Sequence, residues 1–129
     1  MLSPRALSTV LALGRVGVGA ALLGAPGSTG RLFLGAPAES GGGGVAVRAF
    51  GGRDLALGAL TAASLSGRLG SASTATTLVA AGGFCDLVDG VALLAARREI
   101  PAAGLATGVF ALGSALFGFA LARQLRAGL

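Results

Sequence analysis

Four apolar stretches of about twenty residues, parted by short polar breaks, constrain this chain more than any other feature. They run roughly over 6–24, 45–66, 72–96 and 100–122. As helices rising about 1.5 Å per residue, such stretches match the roughly 30 Å hydrocarbon core of a bilayer. In hydrocarbon every backbone N–H and C=O must be satisfied within the protein, and a helix does this segment by segment. Composition agrees. Hydrophobic residues make up 53% of the chain and charged ones 12%, with a mean hydropathy of +0.83, too apolar for an ordinary soluble domain. At 129 residues, four spans and their connections fit comfortably and five would be cramped. The expected fold is an all-α, integral membrane four-helix bundle, a single transmembrane domain over 1–129. Its expected place is the cell (inner) membrane, crossed several times, with the lipid bilayer as its first partner.

The breaks carry their own information. The first run follows Met1-Leu2-Ser3-Pro4-Arg5 and has the outline of a signal peptide. Arg15 interrupts the apolar core that a signal peptide needs, however, the run is long enough to span, and no convincing small-x-small cleavage site precedes a soluble domain, so a retained helix is expected. From 25 to 44 the chain holds Pro26, Gly27, Ser28, Pro37, Glu39, Ser40 and four consecutive glycines, which reads as a Gly/Pro-rich loop. Its centre, Arg31-Leu32-Phe33-Leu34-Gly35, is apolar enough to lie at the membrane interface with Arg31 among the headgroups. The turn Gly67-Arg68-Leu69-Gly70-Ser71 is short, which makes the second and third helices antiparallel neighbours. Pro101 suits the first turn of the last helix. The arginines divide almost evenly between the two faces, so the positive-inside rule does not set the orientation. The long Gly-rich connection needs no cytoplasmic partner, and both termini are expected in the cytoplasm.

Several function classes are excluded by what the chain lacks. The net charge of +5 comes from ten basic residues, all Arg, but they are scattered and some interrupt apolar runs, so no nucleic-acid footprint forms. With no His and one Cys, the usual zinc, c-type haem and Ser-His-Asp patterns are missing. No metal, cofactor or catalytic residue is expected, and Cys85 reads as small apolar filler. Gly17-Val18-Gly19-Ala20-Ala21-Leu22 has Leu where a dinucleotide fingerprint needs its third glycine, and a phosphate loop would need the Lys this chain lacks.

What remains is a set of charges inside the apolar runs: Arg15, Arg48, Arg53, Asp54, Asp86 and Asp89. Each charge at mid-helix costs about 2.5–3.5 kcal/mol on insertion scales, so they must be paired, hydrated or shallow. Arg53 lies seventeen residues before Gly70, and Asp86 and Asp89 lie sixteen and nineteen after it. Across an antiparallel hairpin, equal counts mean equal depth, which sets Arg53 between the two aspartates, themselves roughly 60° apart on one face. Arg15 reaches the same level by its distance from the end of the first run. Asp54, turned roughly 100° from Arg53, faces a different neighbour, with the first helix and Arg15 as the candidate. Arg48 is shallower and snorkels toward the interface. The expected polar network is therefore Arg15, Arg53, Asp54, Asp86 and Asp89. Glycines flank it on three helices, which allows close packing or contact with a second copy or another membrane protein. The expected role is structural or accessory, assisting a partner through helix packing with the network as a dry clip that fixes helix register; the alternatives are the polar floor of a cavity that binds or transports a small molecule or lipid headgroup, and a proton-accessible site.

Gly51-Gly52-Arg53-Asp54-Leu55-Ala56-Leu57-Gly58, with Arg48 before it and Asp86-x-x-Asp89 on the next helix, resembles small four-helix bacterial membrane proteins of unknown function, themselves distantly similar to DoxX-like bundles. The resemblance implies the four-helix count. At the level of fold analogy alone, it also implies a redox- or quinone-linked accessory role.

Arg53→Ala strands carboxylates and should lower steady-state abundance in membranes several-fold more than Arg68→Ala in the turn. Equal abundance on a quantitative blot would contradict the depth match.

Overall fold

The computed structural model describes residues 2–128, and all regular structure among them is helical. The order is α1 (Pro4–Gly24), α2 (Pro26–Leu34), a 3-10 turn (Ala36–Glu39), α3 (Gly41–Leu65), α4 (Ala72–Ala95) and α5 (Ala102–Ala127). Three of these, α1, α4 and α5, are long and apolar enough to cross a membrane, with mean hydropathies of 1.8, 1.8 and 1.9. The fourth long helix, α3, has 25 residues and carries Arg48, Arg53 and Asp54.

Local chemistry explains where the helices begin. Ser3 caps α1 by accepting from the Ala6 amide, with Pro4 in the first turn. Ser71 and Thr74 form a reciprocal capping box at the start of α4. Thr76 and Thr77 donate their hydroxyls to the carbonyls of Ala72 and Ser73, so the polar start of α4 is satisfied within its own turn.

The stretch 25–44, expected as a loop, is mostly helical. After a break at Ala25, Pro26 opens α2, and the glycine run belongs to α3. Four glycines in a helix cost about 1 kcal/mol each relative to Ala, which is why the sequence reads as coil. Two tertiary features override that cost. Ser40 caps α3, its side chain accepting from the Gly43 amide at 3.0 Å. Gly43 also lies so close to the 3-10 turn that an added Cβ would come within 2.8 Å of Ala38 Cα.

Packing divides the long helices into two tight pairs, α1 with α3 and α4 with α5. Although the short turn 66–71 joins α3 to α4, their mutual contact is light, because α3 gives most of its face to α1. Glycine lets the first pair close: a Cβ on Gly58 would lie 2.6 Å from the Ala12 carbonyl and 2.9 Å from Val16. Arg5 donates to the Leu65 carbonyl and ties the start of α1 to the end of α3. The apolar core is split between the two ends. Leu22, Ala38 and Val47, with Phe33 and Leu34, pack under α2, while Val79, Leu121 and Ala122, with Leu7 and Leu11, pack at the other end. Between these clusters lie the charged side chains.

Gly58→Val should drive α1 from α3 and lower the unfolding midpoint by several degrees in detergent. Gly52→Ala, on the same helix with nothing within 4 Å of the added Cβ, should leave it unchanged or raise it. Equal losses for the two would show that close α1–α3 packing is not what the glycine serves.

Candidate functional site

Arg15 reaches across from α1 to α4, where its Nη2 lies 2.5 Å from Asp86 Oδ2 and donates to the Gly82 carbonyl at 2.6 Å. Its Nη1 lies 3.3 Å from Asp54 Oδ1 on α3. Gly82 makes the approach feasible, since a Cβ there would sit 3.0 Å from Arg15 Nε. One helical turn away, Arg53 grips Asp89 with both ends of its fork, Nη1 to Oδ1 at 3.0 Å and Nη2 to Oδ2 at 2.5 Å. Arg53 also donates to Asp54 Oδ1 from Nε at 3.3 Å and Nη2 at 3.1 Å, and its guanidinium lies 5.0 Å from the centre of the Phe50 ring. Asp54 thus joins the two arginines into one continuous network. The side chains of Arg15, Asp54 and Asp86 are 9%, 14% and 14% exposed, whereas Arg53 retains 29%.

The structure brings Arg15, Arg53, Asp54, Asp86 and Asp89 together, with a different division of partners from the one counted along the chain. Arg53 takes Asp89 but not Asp86. The roughly 60° between the two carboxylates turns Asp86 toward α1 and α5, where Arg15 and Ser114 meet it. Ser114, which the sequence offered only as a small packing residue in Ser114-x-x-x-Gly118, donates its hydroxyl to Asp86 Oδ2 at 2.7 Å. A serine in a glycine-rich apolar helix gives no warning of that role until the opposite carboxylate is known. Arg48 stays outside, its nearest polar partner being the Gly44 carbonyl one turn back at 3.4 Å. Arg31 lies apart on α2 in an exposed pair with Glu39 at 3.1 Å. Two arginines therefore face three aspartates.

All five network residues and Ser114 line a cavity of about 700 Å³. From this polar floor its walls rise along α1, α3, α4 and α5 to α2, which contributes Gly30, Phe33 and Leu34. The walls are otherwise apolar except for Thr107, whose hydroxyl donates to the Ala103 carbonyl, with Leu22, Val47, Phe50, Leu93 and Phe110 among them. Val10 and Phe110 on its rim are 63% and 75% exposed, so the cavity is open. On the far side of Arg15 is a separate void of only about 10 Å³, lined by Ser8, Thr61 and Val79. Arg15 borders both and stands between them.

Comparison of the chain with protein-family models, curated proteins and solved structures finds no match. The site's own chemistry therefore carries the functional argument. Among the described residues, no group of three or more His, Cys, Asp or Glu is arranged to hold a metal ion.

Removing Arg15 leaves Asp86 with Ser114 alone. Arg15→Leu should destabilise the fold by about 3–5 kcal/mol, the cost typical of breaking one side of a buried pair. Arg48→Gln should change stability by less than about 0.5 kcal/mol. Denaturant titrations in mixed micelles would read both, and equal effects would contradict the division between network and surface arginine.

Proposed function

We propose that this protein is a four-span bundle of the inner membrane that binds a small amphipathic molecule, its polar end on the Arg/Asp network and its apolar part along the walls above. The cavity of about 700 Å³, with the whole network on its floor, is the observation that carries this reading. Its volume falls within the roughly 300–1,000 Å³ typical of small-molecule sites, and a few convergent polar groups in an apolar pocket are the usual pattern of such sites.

The membrane setting is supported from two sides. Large apolar side chains such as Leu13, Phe84, Val91, Val109 and Leu116 are 55–73% exposed, a surface suited to lipid. In this reading α3 is the fourth span: Arg53 and Asp54 are paired within the protein, and Arg48 snorkels from its first turns. Helix α2, with Arg31 among the headgroups, lies along the interface and covers the end of the cavity.

A second reading, that the protein is a structural or accessory membrane component and the network a clip, has its own support. The hydrogen bonds of Arg15 and Arg53 tie the α1–α3 pair to α4. The cavity favours binding, since a clip alone requires no open volume beside it.

Purification in native lipid followed by native mass spectrometry separates the two. A bound small molecule should accompany the wild type, fall at least fivefold with Asp89→Asn, and be excluded by Gly14→Phe. Gly14 borders the cavity with open space where its Cβ would be, so the added ring fills the volume without striking the backbone. If nothing accompanies the wild type, the clip reading stands instead.

A further inference from the structure

Nε, Nη1 and Nη2 of Arg53 and both terminal nitrogens of Arg15 already donate to Asp54, Asp89, Asp86 or the Gly82 carbonyl, and the Ser114 hydroxyl points to Asp86. Among the described residues, Asp54 Oδ2 and Asp86 Oδ1 accept no hydrogen bond, while Asp89 uses both oxygens. Negative charge is in excess, because two guanidiniums face three carboxylates and Arg48 remains outside.

An anionic head group would meet an excess of carboxylate with the arginine forks already engaged. A neutral acceptor, such as a carbonyl, would leave the surplus charge unbalanced. A cation with N–H groups balances the surplus charge in a low-dielectric site and supplies donors to the free oxygens of Asp54 and Asp86. The apolar walls above the floor then require that this cation carry a hydrocarbon body, and Phe50, whose face already holds the Arg53 guanidinium, shows that the lining accommodates positive charge.

We infer that the cavity takes a lipophilic ammonium, a protonated amine on an alkyl or aryl body, with its N–H groups on Asp54 and Asp86 and its apolar part toward α2. This inference rests on the cavity-binding reading above and adds the sign and donor character of the ligand.

A matched series tests it with the full chain in phosphatidylcholine nanodiscs at neutral pH: dodecylamine, dodecanol and dodecanoate. Each is titrated against filled and empty nanodiscs, with bound probe read by equilibrium partition and native mass spectrometry. Dodecylamine should bind saturably and at least tenfold more tightly than dodecanol, and dodecanoate should not saturate. Asp54→Asn should cut the preference for the amine over the alcohol at least fivefold; the wild-type comparison stands without any variant. If dodecanol equals dodecylamine, or dodecanoate binds best, the cation assignment is overturned while cavity binding stands. If no probe saturates, both fall.

Discussion

A guanidinium nine-tenths removed from solvent has to be met by carboxylates and carbonyls, and the arrangement of this protein follows from how Arg15 is met. Its partners come from two other helices, Asp54 on α3 and both Asp86 and the Gly82 carbonyl on α4. Taking ions out of water costs several kcal/mol each, and an ion pair offsets this only when its geometry is good and the remaining hydrogen-bonding capacity is used. The two helix pairs are joined at this level by ionic contacts, with the apolar clusters placed above and below.

Close approach of backbones is the second condition. Gly82 leaves room for the Arg15 guanidinium against α4, and Gly58 brings α3 against α1, so the charged groups come within hydrogen-bond distance without long, flexible detours. Much of the buried set in the long helices consists of glycine and alanine, with Leu121 and Val47 as its largest fully buried members. Small interior residues bring paired helices together but leave space where the pairs diverge. The cavity lies in that divergence, between α1–α3 and α4–α5, with α2 across its end.

These two conditions produce an asymmetric site. The network holds three carboxylates to two guanidiniums, and all five residues line the open volume. A charge network that served only to hold register would gain nothing from an excess of carboxylate beside a cavity of about 700 Å³. A binding site would gain from both, because the same carboxylates that hold the arginines in place offer their remaining oxygens to a ligand.

The sequence by itself determined the helical character of the chain, because apolar runs of spanning length leave the backbone little alternative to satisfying itself within each segment. It also brought Arg53 level with Asp86 and Asp89, since depth in a hairpin is a matter of counting from the turn. Counting carries no information about azimuth, however, and the tertiary structure decided the partners: Asp89 for Arg53, Asp86 for Arg15 and Ser114. It likewise decided that 25–44 would be mostly helix, through a serine cap and a glycine pressed against the 3-10 turn, which outweigh an unfavourable local propensity. The cavity belongs wholly to this second category. Empty volume arises from how helix pairs diverge in space, and no residue in the chain encodes it alone.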